Sequence, residues 1–223
     1  MDPRYMRNVP ALTEAECALL RTKKVAVIGC GGLGGYLVEY LARIGVGSIR
    51  AVDGDVFEES NLNRQILSEA SLFGTRKAEA AAARIQRINP DVKAEAIPAF
   101  LDETNASALI AGYDAVLDGV DSIPARKLLA RACAEAGIPY IYGAISGWVA
   151  QAGISMPGDS LMDRLYPETV EIRDKSVLSF TPALCAAMQS ALCVKLLVGR
   201  PVKTRTLYYF DLLHQEFEEI PLV

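Results

Sequence analysis

Histidine and tryptophan each occur once in the 223 residues, at His214 and Trp148. A single histidine leaves no basis for a catalytic triad or a histidine-built metal site. Cysteine is sparse and scattered: Cys17, Cys30, Cys133, Cys185 and Cys193 are odd in number and never spaced as C-x-x-C. That argues against a disulfide framework and a thiolate zinc site, and fits a reducing, cytoplasmic setting. There is no basic excess either. With 23 Lys and Arg against 27 Asp and Glu, the net charge of −4 argues against a nucleic-acid partner held by non-specific phosphate neutralisation. The start, Met1-Asp2-Pro3-Arg4-Tyr5-Met6-Arg7-Asn8, lacks the apolar core of a signal peptide. The most apolar stretch, Pro182 to Gly199, is interrupted by Gln189, Ser190 and Lys195, so it reads as a buried helix and not a membrane span. Repeats, low-complexity tracts and linkers are also missing. Residues 1–223 therefore read as one α/β domain with a well-buried core.

What is present is a regular alternation of strands and helices. Strands are expected near Val25–Gly29, Ile49–Asp53, Val92–Ala96, Ala115–Gly119 and Pro139–Tyr142. Helices are expected near Gly32–Ile44, Arg76–Ile88, Thr104–Ala111, Pro124–Ala136 and Pro182–Leu197. Apolar strands without alternation imply burial on both faces, as in a doubly wound, Rossmann-like, mostly parallel sheet covered by crossover helices. Ligands of such sheets bind at the carboxyl ends of the strands. Trp148–Met156, Arg205–Asp211 and Gln215–Ile220 read as later strands of an antiparallel C-terminal extension, and Pro157–Ser179 as a long irregular segment.

Gly29-Cys30-Gly31-Gly32-Leu33-Gly34 follows the first strand directly. Glycines at the first, third and sixth positions of a strand-to-helix turn let backbone amides and a helix N-terminus approach phosphate oxygens. Alone, the pattern fits NAD, FAD or plain helix packing. Downstream, Asp53-Gly54-Asp55 ends the second strand, and Ser60-Asn61-Leu62-Asn63-Arg64-Gln65 adds a polar cluster suited to a triphosphate. Asp53 suits ribose hydroxyls, or else caps loop amides. Arg64 suits phosphate through a charged, planar fork, or else pairs with Asp55, Glu58 or Glu59. Lys77, after Gly74 at the start of a helix, joins an ammonium to a helix N-terminus, or else is a solvated helix residue. Asp121 lies just past the Ala115–Gly119 strand, where one carboxylate with phosphate oxygens suits magnesium.

In this order and spacing the motifs resemble the adenylyltransferases related to MoeB, ThiF and HesA, bacterial relatives of ubiquitin-activating enzymes. The resemblance covers nearly the whole chain. It runs through Arg4–Asn8, Gly29–Gly34, Asp53–Asp55, Ser60–Gln65, Gly74, Lys77, Asn89-Pro90, Asp118–Asp121, Gly143-Ala144 and the helix bearing Gln189. It implies ATP and magnesium as cofactors, and as partner a small ubiquitin-like sulfur-carrier protein whose C-terminal Gly-Gly carboxylate is adenylated. It also implies that Gly29, Gly31, Gly32, Gly34, Asp53, Asp55, Asn61, Arg64, Gln65, Lys77, Asp121 and Ser122 line the nucleotide, with Asp121 on the metal. Arg64, Lys77, Asp121 and Arg7 would carry catalysis. Arg7 would cross to the partner's site of a homodimer, or else belongs to a mobile basic terminus. The apolar helix Ala183–Leu197 carries more hydrophobic surface than one flank of a sheet needs, in keeping with a dimer. No general base is required, because a C-terminal carboxylate, with a pKa of about 3.5, is ionised at neutral pH and attacks the α-phosphorus directly.

The departures from the family also carry information. Ser122 stands where the family usually has asparagine, which touches the adenine contact. Larger members bind zinc through two C-x-x-C pairs, whereas Met156–Leu165 and Pro221-Leu222-Val223 contain no cysteine, so zinc is expected to be absent. Sulfur-relaying members place a cysteine before the final long helix, and Glu168–Thr181 has none. A separate sulfur donor is therefore expected, with Cys185 a buried hydrophobe and Cys30 without a catalytic role. Other readings remain. A Rossmann oxidoreductase would use Gly29–Gly34 and Asp53 for NAD and leave Arg64 incidental, and a non-catalytic scaffold would not need Arg64, Lys77 and Asp121. A tRNA-linked or peptide carboxylate is an alternative acceptor.

Overall fold

Successive residues of the first strand, β1 (Lys24–Ile28), point into different cores, Val25 and Val27 into one and Ala26 and Ile28 into the other. A strand buried on both faces belongs in the middle of a covered parallel sheet. A computed structural model describes residues 2–167 and 176–222, and in it β1 lies between β2 (Ser48–Val52) and β4 (Ala115–Asp118). With β3 (Lys93–Ile97) and β5 (Tyr140–Ser146) the parallel half has the order β3-β2-β1-β4-β5. The strands β6 (Val149–Ser155), β7 (Thr206–Asp211) and β8 (Glu216–Pro221) continue the same sheet antiparallel. This is the mostly parallel, doubly wound sheet with an antiparallel extension that the sequence predicts.

One face carries α1 (Glu14–Leu20), α2 (Gly32–Ile44), α3 (Lys77–Ile88) and α7 (Phe180–Leu197) over a core including Leu37, Leu41, Ile85 and Cys193. The other carries α4 (Ala106–Ile110), α5 (Ile123–Ala136) and α6 (Leu161–Leu165) over Ile110, Leu129, Val116 and Tyr140. Among the described residues α7 is the one helix long and apolar enough to cross a membrane, yet 56% of it is buried within the fold, and it packs on α2, β5 and β6. Helix α2 stops at Gly45, whose φ of +92° is left-handed, and a side chain there would strike the Tyr5 ring.

Most expected boundaries hold within a residue or two. β4 ends at Asp118, one residue early, where the Asp118 carboxylate takes the Val120 amide (2.9 Å) out of the ladder. α4 is shorter than the expected Thr104–Ala111, since Asp102 and Asn105 bond the loop backbone before it. α1 was not anticipated. Its seven residues are too few for periodicity, although the capping box of Thr13 and Glu16 was legible as T-x-x-E. α6 interrupts the segment expected to be irregular, and residues 168–175 of that segment lie outside those described.

Candidate functional site

The order β3-β2-β1-β4 reverses the direction of winding between β1 and β4, and a crevice opens there at the carboxyl ends of the strands. It measures about 1230 Å³. That exceeds the ~300–1,000 Å³ of ordinary small-molecule pockets and leaves room for a nucleotide and the end of an extended chain. Three helices of 12 to 14 residues begin on its wall: α2 at Gly32, α3 at Lys77 and α5 at Ile123. The N-caps of the first two, Gly31 and Arg76, give no side-chain cap. The Lys77 amide is taken by the Asp55 carbonyl (3.0 Å), so the open amides at the start of α2 and the dipoles of both helices are what make the crevice attractive to anions.

The four glycines of the turn divide into two kinds. A Cβ on Gly34 would stand 1.7 Å from the Gly29 carbonyl oxygen, and one on Gly29 would stand 2.4 Å from that of Gly119. Both are required by backbone packed on backbone. Gly34 is buried and is not on the crevice wall, so its expected place against the nucleotide is corrected to packing of helix on strand. Gly31 and Gly32 are uncrowded, with the nearest atoms 3.6 and 3.8 Å from where a Cβ would be. Their glycine character leaves the amides open to approach from the crevice.

Asp53, just past the end of β2, caps loop amides, the second of the readings the sequence left open, and it also stands on the crevice wall. Oδ2 accepts the Cys30 amide (2.7 Å) and Oδ1 the Asp55 amide (2.8 Å). Each oxygen keeps a second lone pair for a hydroxyl. Arg64 bonds the Ser60 carbonyl and Asn63 Oδ1 through Nη1, both at 2.8 Å. Among the described residues no carboxylate pairs with it, so the surface ion pair is set aside and Nε and Nη2 are left for a ligand. Lys77 is not the solvated helix residue of the alternative reading. It is buried, with Nζ 3.2 Å from Asp55 Oδ2. Gln65 is buried on the wall, and its Oε1 has no hydrogen-bond partner. An orphaned buried acceptor beside open amides and a guanidinium with Nε and Nη2 unused fits a polar, phosphate-bearing ligand.

Across the crevice stand Asp121, exposed and on the wall, and Ser122, whose Oγ caps α5 by accepting the Ala125 amide (3.4 Å). Two expected residues are elsewhere. Asn61 is buried off the wall, its Oδ1 accepting the Glu58 amide (3.1 Å) and its carbonyl accepting the amides of Arg64 and Gln65. It builds the turn that aims those two residues. Arg7 is exposed on the 3-10 turn Pro3–Asn8, which packs at Ile44 and Gly45. That is the far end of α2, about 20 Å along a 13-residue helix from Gly32. Arg7 does not join the crevice of its own chain.

Sequence reasoning missed Phe100 and Arg126. Phe100 is 64% exposed on the wall, with its ring against Gly54, where a Cβ would be 2.5 Å from it. Arg126 reaches the wall from α5 but ends in a buried pair with Asp118. Their signals, an aromatic after Pro98-Ala99 and an arginine five residues past Asp121, are too generic to read without the fold. The cysteines are buried. Burial, helped by Asp53, raises the Cys30 thiol well above its usual range, and burial pushes Cys185 and Cys193 up to about 12.

The model of the ThiF family matches residues 4–222. The chain is 38% identical over 210 residues to the SAMP-activating enzyme E1 of Haloferax volcanii, covering 91% of this chain and 77% of that protein. To the sulfur carrier protein adenylyltransferase of Thermus thermophilus it is 32% identical, over 90% of this chain and 79% of the relative. The relatives that also carry a sulfurtransferase name, MOCS3 and MoeZ, are longer, and the chain spans only 47% to 59% of their length. Among solved structures, Escherichia coli MccB with ATP superposes with a TM-score of 0.85 at 20% identity, over 100% of this chain and 71% of that one, a likeness of fold.

Proposed function

The chain belongs to the ThiF family and is an adenylyltransferase that activates a small ubiquitin-like sulfur carrier; from that premise we propose how its crevice does so. ATP binds with its phosphates toward the starts of α2 and α3, held by the amides of Gly31 and Gly32, by Arg64 and by Lys77. Asp53 takes the ribose hydroxyls and Gln65 Oε1 a donor of the nucleotide. The carboxylate of the carrier's C-terminal Gly-Gly enters ionised. It forms a bond to the α-phosphorus as the bond to pyrophosphate breaks, giving an acyl-adenylate. Asp121 would hold magnesium together with phosphate oxygens, and the ion would neutralise part of the phosphate charge when bound. Arg64 and Lys77 stabilise the negative charge that gathers on the departing pyrophosphate, and this difference between ground and transition state is the source of rate.

The observation that carries this reading is the convergence of three helix N-termini, a guanidinium paired with no carboxylate and a buried ammonium on one crevice, with the exposed carboxylate of Asp121 opposite. A dinucleotide site calls for the glycines and Asp53 but not for the rest. Residues 1–223 act together as an ATP-binding domain, in a cytoplasmic homodimer in which Arg7 serves the partner's crevice. It holds no zinc, and a separate sulfur donor attacks the anhydride. The test is exchange of labelled pyrophosphate into ATP with a carrier ending in Gly-Gly. Exchange that needs both magnesium and the carrier is expected. Robust exchange without magnesium, or reduction of NAD in its place, overturns the reading.

A further inference from the structure

Asp118 is fully buried at the end of β4, and Arg126, closing the first turn of α5, is 4% exposed. Asp118 Oδ2 accepts from Arg126 Nε (3.1 Å) and from the Tyr140 hydroxyl (2.6 Å). The same two side chains grip the backbone between them. Asp118 Oδ1 accepts the Val120 N–H (2.9 Å), and Arg126 Nη2 donates to the Val120 carbonyl (2.8 Å). That carbonyl belongs to the peptide unit leading into Asp121. On the other side of the loop, a Cβ on Gly119 would stand 2.5 Å from the Gly29 carbonyl oxygen, so the backbone has no room to shift toward β1. Gln189 Nε2 closes the arrangement from α7 by donating to the Asp118 carbonyl (2.9 Å).

A buried ion pair is a poor device for stability, because removing both charges from water offsets most of their attraction and apolar residues of similar volume do as well. What it supplies here is direction. Five hydrogen bonds converge on Asp118 and Val120, within the three residues immediately before Asp121, which itself is exposed and has no protein partner among the described residues.

We propose that Asp118 and Arg126 are positioning residues whose ion pair fixes the Val120–Asp121 peptide and so presents the Asp121 carboxylate to the metal of the bound triphosphate. The inference rests on the reading of Asp121 given under the proposed function. Outer partners of this sort set metal affinity or rate by about 10- to 100-fold in other sites.

The decisive variant is Arg126→Lys, which keeps a charge beside Asp118 but cannot reach Asp118 and Val120 together as a fork does. Asp118→Asn is the second, retaining an acceptor for the Val120 amide. Hydrogen exchange on the nucleotide-free protein is expected to quicken at residues 119–122, with β1 and β2 protected as in wild type. The magnesium concentration for half-maximal pyrophosphate exchange rises about tenfold or more and kcat falls, while ATP binding without metal changes less than about twofold. Arg131→Ala, on the exposed side of the same helix, changes none of these. Unchanged magnesium dependence in folded variants overturns the proposal. So does faster exchange throughout the sheet, or failure of both variants to fold, since either makes the pair structural. Loss of magnesium dependence in the wild type, or an unaffected Asp121→Ala, instead defeats the reading of Asp121 itself.

Discussion

Lys77 Nζ lies 3.2 Å from Asp55 Oδ2, and the two partners differ sharply in exposure: the lysine side chain is 8% accessible and the aspartate 57%. A pair with one wet partner contributes about 0–1 kcal/mol. On the proposed reading its use is to keep an ammonium near the crevice until phosphates replace the carboxylate. Asp55→Asn is therefore expected to cost no more than about 1 kcal/mol in urea unfolding. Lys77→Met should slow pyrophosphate exchange by about 100-fold, as loss of one preorganised cation at a developing charge does. The reverse order, a costly Asp55→Asn and a fast Lys77→Met, would make the pair a structural bridge.

Asp121→Ala should lose far more turnover than nucleotide affinity. Charge on the departing pyrophosphate grows toward the transition state, so a group that holds the metal acts most strongly there. Calorimetric titration with ATP beside steady-state exchange separates the two. Equal losses in kcat and in ATP affinity would assign Asp121 to ground-state binding and remove it from the metal.

How much of this site was legible depends on how far the signals lie apart in sequence. Gly29–Gly34, Asp53 and Lys77 announce themselves because each sits just past a strand or at a helix start, and local rules reach that far, whereas Arg64, in a turn, was read from its place in the polar cluster Ser60–Gln65. The division of labour among the glycines was not legible. Gly29 and Gly34 are required by contacts with Gly119 and with each other, which exist only once β1, β4 and α2 are packed. Asn61 was misplaced for a related reason, since a polar residue inside a motif of ligand-binding residues gives no sign that its own amide faces inward to Glu58. The Asp118–Arg126 clamp joins a strand end to the following helix, and only burial distinguishes it from a surface pair.

Acid should loosen the attachment of α1. Arg200 donates to both oxygens of Glu16, at 2.6 and 2.8 Å, and the Thr13 amide adds a third bond. These hold the carboxyl down from 4.5 to about 2, the arginine first. A carboxyl depressed in the folded state stabilises fully above its unfolded value and loses that contribution as pH falls toward its folded value. The stability difference between wild type and Glu16→Gln is therefore expected at pH 7 and should shrink between pH 4.5 and 2. A difference independent of pH across that window would exclude the ionised carboxylate as its source.

Arg7 stands at the Gly45 end of α2 while the crevice opens at the Gly32 end, so any role in catalysis must be played in a second copy. Mixing Arg7→Ala chains with Asp121→Ala chains should restore part of the lost exchange activity, because one crevice of each mixed dimer then has both residues. Sedimentation as a clean monomer at working concentration, or no recovery after proven subunit exchange, would count against the shared site.

Sulfur should pass to the carrier without a thiol of this protein. Cys185 is fully buried in α7, its Sγ donating to the Gln151 carbonyl (3.1 Å), and burial pushes its thiol up to about 12. Cys193 is likewise pushed up to about 12, and Cys30, inside the glycine turn, stands well above its usual range. At neutral pH none of these presents the thiolate that nucleophilic transfer needs. The acyl-adenylate is already activated, so an external sulfur donor is enough. Replacing all five cysteines, with alanine at the buried positions so that no hydroxyl is left unbonded, should preserve pyrophosphate exchange and thiocarboxylate formation when a donor is supplied. If exchange survives but thiocarboxylate formation stops, and restoring Cys185 alone brings it back, Cys185 is the relay and its burial must open during turnover.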